Sequence, residues 1–382
     1  MLADAVPLYP LYALLFADTG LSAAEISALF ALWSFMGVVA EVPSGALADR
    51  FGRRAAVVAY GLLQAAGFAV WIALPGFPGF AAGFALWGLG GAMASGAFEA
   101  LLYDGLAAAG EAGRYVRVLA RVEAAGLVVQ VPIAGAATVL FDLGGYALAG
   151  WVSVATALGS AAVAATLPEV RPPAARGEEE LGYLATLRAG LAEAAGSPAV
   201  RAALLGVAAI TAFDGLEEYF PLLAAEWGVP TGAIPIALVA IPLAGALGTA
   251  LAGRAALLDP RGVACMLLVA SAALAAAGLV ARPAGVVGIV AFYGVYRLAV
   301  VIADARLQER IEGAARATVT SAAGLATDVA AMALYGAWAL GGLGLVTALA
   351  ALAALTVPGL LGGARRRRGT VDAGGPASEE AR

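Results

Sequence analysis

The sequence predicts an all-α membrane protein with twelve transmembrane helices in two pseudo-symmetric six-helix bundles. Three observations predict it: the chain is too apolar for a soluble core, its apolar runs fall into twelve blocks, and its basic residues keep to one side of that pattern. Of 382 residues, 62% are hydrophobic and 13% charged, against about 25% charged in a soluble domain. Mean hydropathy is +0.90. A spanning helix needs ~20 largely apolar residues. Continuous runs of this kind exclude a β-barrel, whose strands alternate over ~10 residues.

The first run, 2–17, is short and has no basic segment ahead of it, so no cleavable signal peptide is expected. At ~1.5 Å per residue it reaches about 24 Å, less than the ~30 Å hydrocarbon core. Either the true start lies upstream or the first helix is genuinely short. Runs 24–47, 54–74, 79–103, 116–140 and 145–167 complete a first half. Runs 200–225, 232–253, 262–281, 285–308, 316–340 and 343–361 form a second. The breaks carry turn chemistry, such as PGFPG (75–79), FDLGG (141–145), RPAG (282–285) and GGLG (341–344). The expected domains are an N-terminal bundle, 1–167, with its first helix short or truncated, and a C-terminal bundle, 200–361. A cytoplasmic linker with an amphipathic helix, 168–199, joins them, and a disordered cytoplasmic tail, 362–382, follows.

With the N-terminus inside, all of the 22 basic residues except Arg282 and Arg297 fall in inner loops, inner helix ends or the tail. This is the positive-inside pattern. It places both termini in the cytoplasm of a multi-pass cell-membrane protein. Trp71, Trp151, Trp227 and Trp338 fall near outer ends, where an aromatic belt is expected.

All 22 basic residues are arginine, and there is no histidine. The lack of His removes the usual proton shuttle and most zinc-site designs. The lack of Lys removes a Walker-type nucleotide loop. The lone Cys265 forms no internal disulfide and is expected as a small core residue. These absences argue against an enzyme, a resident metal or a cofactor. The expected partners are a small-molecule substrate, protons and the bilayer, with no nucleic acid and a monomeric chain.

The halves echo each other. GLSAAEI (20–26) matches GVPTGAI (228–234), YPL (9–11) matches FPL (220–222), EALLYD (99–104) matches DARLQE (304–309), and EAAGL (123–127) matches SAAGL (321–325). Four matches in the same order argue for duplication, a known transporter plan.

GALADRFGRR (45–54) interrupts the apolar pattern between spans two and three. It fits G-x-L-a-D-R-x-G-R-[RK] at every defined position. Here the chain resembles the major facilitator superfamily, over essentially its whole length. EVPSGALADR and DARLQERIEGAARAT resemble an efflux-type branch. The span-five phrase GLVVQVPIAG has Val131 where antiporters carry glycine before Pro132, and span four lacks the Arg often found there.

The resemblance implies a latch on the cytoplasmic side, built from Gly45, Asp49, Arg50, Gly52, Arg53, Arg54 and Asp104. Gly45 lets neighbouring helices approach, and Gly52 permits the tight reversal. Asp49 meets the positive end of the eleventh helix, which starts near Arg316. Arg53 or Arg54 pairs with Asp104. The latch holds the halves together in the outward-facing state and breaks on inward opening. GRAALLDPRG (253–262), with Asp259 and Gly262, is a weaker second copy.

An ionisable group in a bilayer costs ~2.5–3.5 kcal/mol on insertion scales, so each is a functional candidate. Ten fall within or beside spans: Asp4, Glu41, Glu99, Glu123, Asp214, Glu217, Glu218, Arg297, Asp304 and Asp328. The resemblance implies that spans one, four, seven and ten line a central cavity. That weights Asp4, Glu99, Asp214, Glu217, Glu218, Arg297 and Asp304. Arg297 needs an anion, and the acids of FDGLEEYF (213–220) are its expected partners. Asp214, Glu217 and Glu218, at i, i+3 and i+4, share one face of an α-helix. Three acids so crowded do not all ionise, which supplies a proton carrier without histidine. A static ion-pair network between spans seven and ten is the alternative. Glu99 and Asp304 fit an inner gate as well as substrate contact. Tyr9, Tyr12, Trp33, Phe35, Trp87, Tyr219 and Tyr293 offer an aromatic lining.

The expected function is proton-coupled export of a small amphipathic compound by alternating access. An importer of the same fold is the nearest alternative. A non-transporting receptor or scaffold would be expected to show a degraded 45–54 motif.

Overall fold

The computed structural model describes residues 2–169, 196, 198–255, 258–310 and 316–361. Within these, it describes the backbone but not the side chains of 41–50, 199, 309, 310, 316–321 and 361. The expected linker helix and the tail lie outside the described residues. Among the described residues every regular element is helical.

The helices are α1 (Tyr12–Asp18), α2 (Ala23–Phe51), α3 (Arg53–Ala73), α4 (Phe77–Ala94), α5 (Ala97–Ala108) and α6 (Tyr115–Thr166). The second half has α7 (Pro198–Thr211), a 3-10 segment (Ala212–Tyr219), α8 (Phe220–Glu226), α9 (Ile234–Leu238), α10 (Ala240–Ala255), α11 (Pro260–Val280), α12 (Val286–Arg310) and α13 (Arg316–Leu361).

Among the described residues, eight helical stretches are long and apolar enough to cross a membrane. Two of them each hold two crossings. α6 has 52 residues, about 78 Å at 1.5 Å each, more than twice a ~30 Å core. Its helical dihedrals fail at Gly144 and Gly145. The amide of Leu8 donates to Ser153 Oγ at 3.0 Å, and the Asp4 carboxylate packs on Gly126. Two nearby residues thus touch points on either side of the break, so the chain reverses there. α13 breaks likewise at Gly342.

Among the described residues, the stretches expected as the first and seventh spans are interrupted helices. The first is the larger departure from expectation. It is helical only over Tyr12–Asp18, and residues 2–11 are wound mainly into turns. Pro7 and Pro10 lack the amide hydrogens that an α-helix needs. Leu8, Leu11 and Phe16 are nonetheless fully buried. Apolar burial holds the segment in place, and the Ser153 hydroxyl satisfies the buried Leu8 amide.

The repeat is visible in backbone detail. α1 and α8 both end in a Schellman turn on a glycine of positive φ. Leu21 N bonds Phe16 O at 3.2 Å and Gly20 N bonds Ala17 O at 2.9 Å. Val229 N bonds Ala224 O at 2.9 Å and Gly228 N bonds Ala225 O at 3.0 Å. Gly20 has φ 92° and Gly228 φ 88°. The reversals correspond too: Gly145 has φ 62°, ψ −157°, and Gly342 φ 55°, ψ −148°.

The core of the first half is aromatic. Trp71 is fully buried among Phe16, Phe68 and Phe84, and its Nε1 donates to Phe80 O at 3.0 Å. This corrects the aromatic-belt expectation: Trp71, Trp227 and Trp338 are buried, and only Trp151 of the four is exposed. Their apolar bodies are worth more inside the bundle than at the interface. Cys265 also differs, being exposed on α11.

Candidate functional site

Two cavities lie between the halves. The larger, about 800 Å³, is lined by Trp33, Tyr60 and Trp87 on one side and Asp214, Glu217, Glu218, Asp328 and Tyr335 on the other. It also reaches Ser95, Phe98 and Glu99, where Ser95 and Gly96 break the fourth span between α4 and α5. The smaller, about 340 Å³, is lined by Asp4, Tyr9, Trp87, Gln130, Glu217 and Glu218, among others. Trp87, Glu217 and Glu218 line both cavities.

The acids sit where they do because the seventh span is not an α-helix at that point. Pro221, at the start of α8, cannot bond back to residue 217 and would crowd its carbonyl. The chain upstream tightens into an eight-residue 3-10 segment. At three residues per turn, Asp214 and Glu217 eclipse, and Glu218 swings about 120° away. The single shared face expected from α spacing is therefore split. Arg297 Nη1 donates to Asp214 Oδ2 at 2.9 Å and Oδ1 at 3.2 Å. Tyr293 Oη reaches Asp214 Oδ1 at 3.5 Å, and Glu217 lies near this group. Glu217 and Glu218 both line the two cavities, and Asp214 lines the larger.

The other predicted cavity residues divide. Glu99 lines the larger cavity, and Asp4 lines the smaller beside Gly126. Asp304 is exposed on α12 and is not among the residues lining either cavity. The first half contributes a feature the sequence reading missed. Gln64, fully buried, donates from Nε2 to Tyr9 Oη at 2.7 Å and to Tyr60 Oη at 3.2 Å. Its signal was a lone amide in an otherwise apolar stretch of span three.

At the 51–54 turn, Arg53 forms an ion pair with Asp104. Arg54 does not share that partner. Its backbone amide reaches Glu169 Oε1 at 3.3 Å, its Nη1 donates to Leu167 O at 3.2 Å, and its Nε stands 3.8 Å from Glu169 Oε2. Gly52 has φ 99°, and the Glu169 carboxylate occupies the space a Cβ would need. Glu169 was not anticipated, because it lies beyond the last apolar run. The side chains of Asp49 and Arg50 and the surroundings of Gly45 are not described, and neither is any contact of Asp49 with the start of α13.

The opposite end of the bundle is closed across the halves. Ser27 Oγ and Tyr219 Oη hydrogen-bond at 2.8 Å. Tyr219 stacks on Trp338 with centroids 4.0 Å apart, and Phe30 packs against both Tyr219 and Tyr335. Asp142, at the α6 reversal, packs on Gly232.

Fold and site together define a polytopic membrane transporter built from two repeated bundles around a charged central cavity. The family model for the Major Facilitator Superfamily matches residues 1–335. The chain belongs to the major facilitator superfamily, a family of transporters and not of enzymes. Its fold is similar to that of a D-xylose-proton symporter, at TM-score 0.66 and 16% identity over 93% of this chain and 94% of that one. It is also similar to the nucleoside transporter NupG, at TM-score 0.65 and 14% identity over 94% and 95%. An auto-inhibited POT family peptide transporter gives TM-score 0.68 and 18% identity over 98% and 97%. No curated protein sequence matches the chain.

Proposed function

We propose that the protein is a proton-coupled secondary transporter that exports a small amphipathic molecule across the cell membrane by alternating access. The observation that carries this reading is the Arg297–Asp214 pair, whose Asp214 lines the larger cavity with Glu217 and Glu218. One guanidinium serves three carboxylates, so protons must neutralise the surplus in an apolar setting. The aromatic wall opposite, Trp33, Tyr60 and Trp87, suits the apolar part of a substrate.

The positive-inside pattern puts the 51–54 turn and both termini in the cytoplasm. The larger cavity extends toward that end, and the Tyr219 cluster shuts the other. We read this as the inward-facing state. The Arg53–Asp104 contact lies within the first half, and Arg54 reaches just past its end to Glu169. The bundles 1–167 and 200–361 rock about the cavity in a monomer. Export rests on the efflux-type resemblance of residues 41–50 and 304–318.

The test is transport by purified protein in oriented vesicles under an imposed pH gradient. Asp214→Asn and Glu217→Gln are each expected to abolish gradient-driven transport while folded protein stays in the membrane. Unchanged proton flux in the single variants of Asp214, Glu217 and Glu218 would sink the coupling. Substrate moving with the protons instead of against them would reverse the direction and make the protein an importer.

A further inference from the structure

We propose that the face shared by α10, α11 and α12 holds one anionic phospholipid of the cytoplasmic leaflet, its tail in an apolar groove and its phosphate between Arg254 and Arg261. The inference goes beyond the transport reading and shares with it only the orientation in the membrane.

The tail site is a groove of about 540 Å³ between the three helices, which shares no residue with the two central cavities. Leu247 and Leu251 of α10, Cys265 and Val269 of α11, and Ala291 and Val295 of α12 line it. No charged or hydroxyl-bearing side chain is among its lining residues. Leu247 and Val269 are 60% and 62% exposed, and in a bilayer that exposure is to hydrocarbon. Small residues let the helices meet backbone to backbone at its floor: a Cβ on Gly248 would overlap Gly294 O. A trough of this kind in lipid takes up a chain, because an empty one forfeits dispersion contacts along its walls.

The phosphate site is the rim of that groove. Arg254 follows Leu251 by three residues and Arg261 precedes Cys265 by four, so each stands one turn from the groove on its own helix. On α10 and α11 the groove extends no more than about 15 Å beyond these arginines, half of a ~30 Å core and so the depth of one leaflet. Both arginines are exposed, and neither has a hydrogen bond or ion pair among the described residues. Arg306 of α12 adds a third charge nearby. It donates to Leu258 O, and its buried Nη1 has no partner among the described residues. Asp259, the one acid of residues 253–262, is already engaged, since its Oδ1 accepts the Gly262 amide at 2.8 Å.

This turn is the weaker copy of 45–54, and it has lost the contacts of the original. Arg53 and Arg54 follow Gly52 and meet Asp104 and Glu169. After Gly262 come Val263 and Ala264, both buried. The arginines of the copy stand instead at the mouth of an apolar groove, with no carboxylate to meet among the described residues. Basic pockets between helices on the cytoplasmic side suit anionic headgroups, and a guanidinium pairs well with phosphate. A zwitterionic lipid brings the same tail and phosphate, but its own ammonium offsets the attraction.

The test is native mass spectrometry of the full chain in detergent, titrated with dioleoyl phosphatidylglycerol or dioleoyl phosphatidylcholine. The first phosphatidylglycerol should bind about fivefold or more tighter than the first phosphatidylcholine. Arg254→Gln combined with Arg261→Gln should reduce that preference to less than about twofold. Lysine at both positions should keep most of it, which separates loss of charge from loss of fold. Ala291→Phe, which fills the groove from an exposed position, should weaken the first binding of both lipids. Arg282→Gln, beyond the opposite end of α11, should change nothing. Equal binding of the two lipids, or an unaltered preference in the double glutamine variant, overturns the proposal. Displacement of the lipid by glycerol 3-phosphate would assign the arginines to a soluble phosphate and overturn it as well. A dimer that Ala291→Phe dissolves would give the face to a second copy of the chain, with the same consequence.

Discussion

Arg297 on α12 and Asp214 on the 3-10 segment join through two hydrogen bonds from one guanidinium nitrogen, at 2.9 Å and 3.2 Å. The pair ties the seventh span to the tenth within the second half. Their side chains are 32% and 39% exposed, so the link is partly wetted and its stability contribution is moderate.

Removing one partner leaves the other uncompensated, so the two losses should not add. Arg297→Ala leaves three acids without their cation, and about 2 kcal/mol of stability is the expected loss. Arg297→Ala combined with Asp214→Ala should lose less than the sum of the single changes. Thermal unfolding of the four proteins in detergent closes that cycle. A strictly additive result would show that the two side chains do not interact.

The turn at Gly52 gives a second expectation. Gly52→Ala meets two obstacles: a positive φ with extended ψ that is almost confined to glycine, worth roughly 1–3 kcal/mol, and the Glu169 carboxylate. Adding Glu169→Ala should restore part of the lost transport rate but not all, since the backbone strain stays. The Arg53–Asp104 pair is half-exposed at its arginine. Arg53→Ala should thus change unfolding by under about 1 kcal/mol while slowing turnover. A large drop in melting temperature would assign the pair to folding instead.

A third concerns the closed end. Tyr219→Phe removes only the hydroxyl that meets Ser27, itself 2% exposed. An unsatisfied buried hydroxyl costs about 1 kcal/mol or more, which shifts a two-state equilibrium roughly fivefold. Spin labels at Thr19 and Pro230, in a Cys265→Ser background, should report a larger share of long distances in the variant. Identical distance distributions would mean that the hydroxyl pair does not bias the closed end.

Much of this was legible in the sequence because lipid imposes a coarse rule. Apolar blocks and glycine turns marked the long helices and their breaks, and the paired turn motifs matched at Gly20 with Gly228. The ionic link of Arg297 to the acids of 213–220 also followed from scarcity, since it is the one cation away from the inner ends of the cavity spans. What was not legible depends on winding and on packing. Nothing in the spacing of Asp214, Glu217 and Glu218 says that Pro221 tightens the helix and separates them. Residues 2–11 read as helix by composition, yet Pro7 and Pro10 leave them as turns held by burial. Trp71 sits near a span end in the sequence but packs inward, since one-dimensional position does not say which way a ring faces. Glu169 was missed because a lone acid after an apolar run looks like solvent-exposed loop.

The tight winding of Ala212–Tyr219 also stores length. A 3-10 segment rises about 2.0 Å per residue against about 1.5 Å for an α-helix. Eight residues rewound as α would draw Phe220 toward Thr211 by about 4 Å and screw Glu218 around the axis. The Tyr219 plug and the carboxylates ride on the same stretch. A single local change of pitch would therefore pull the stopper and re-aim the acids in one stroke.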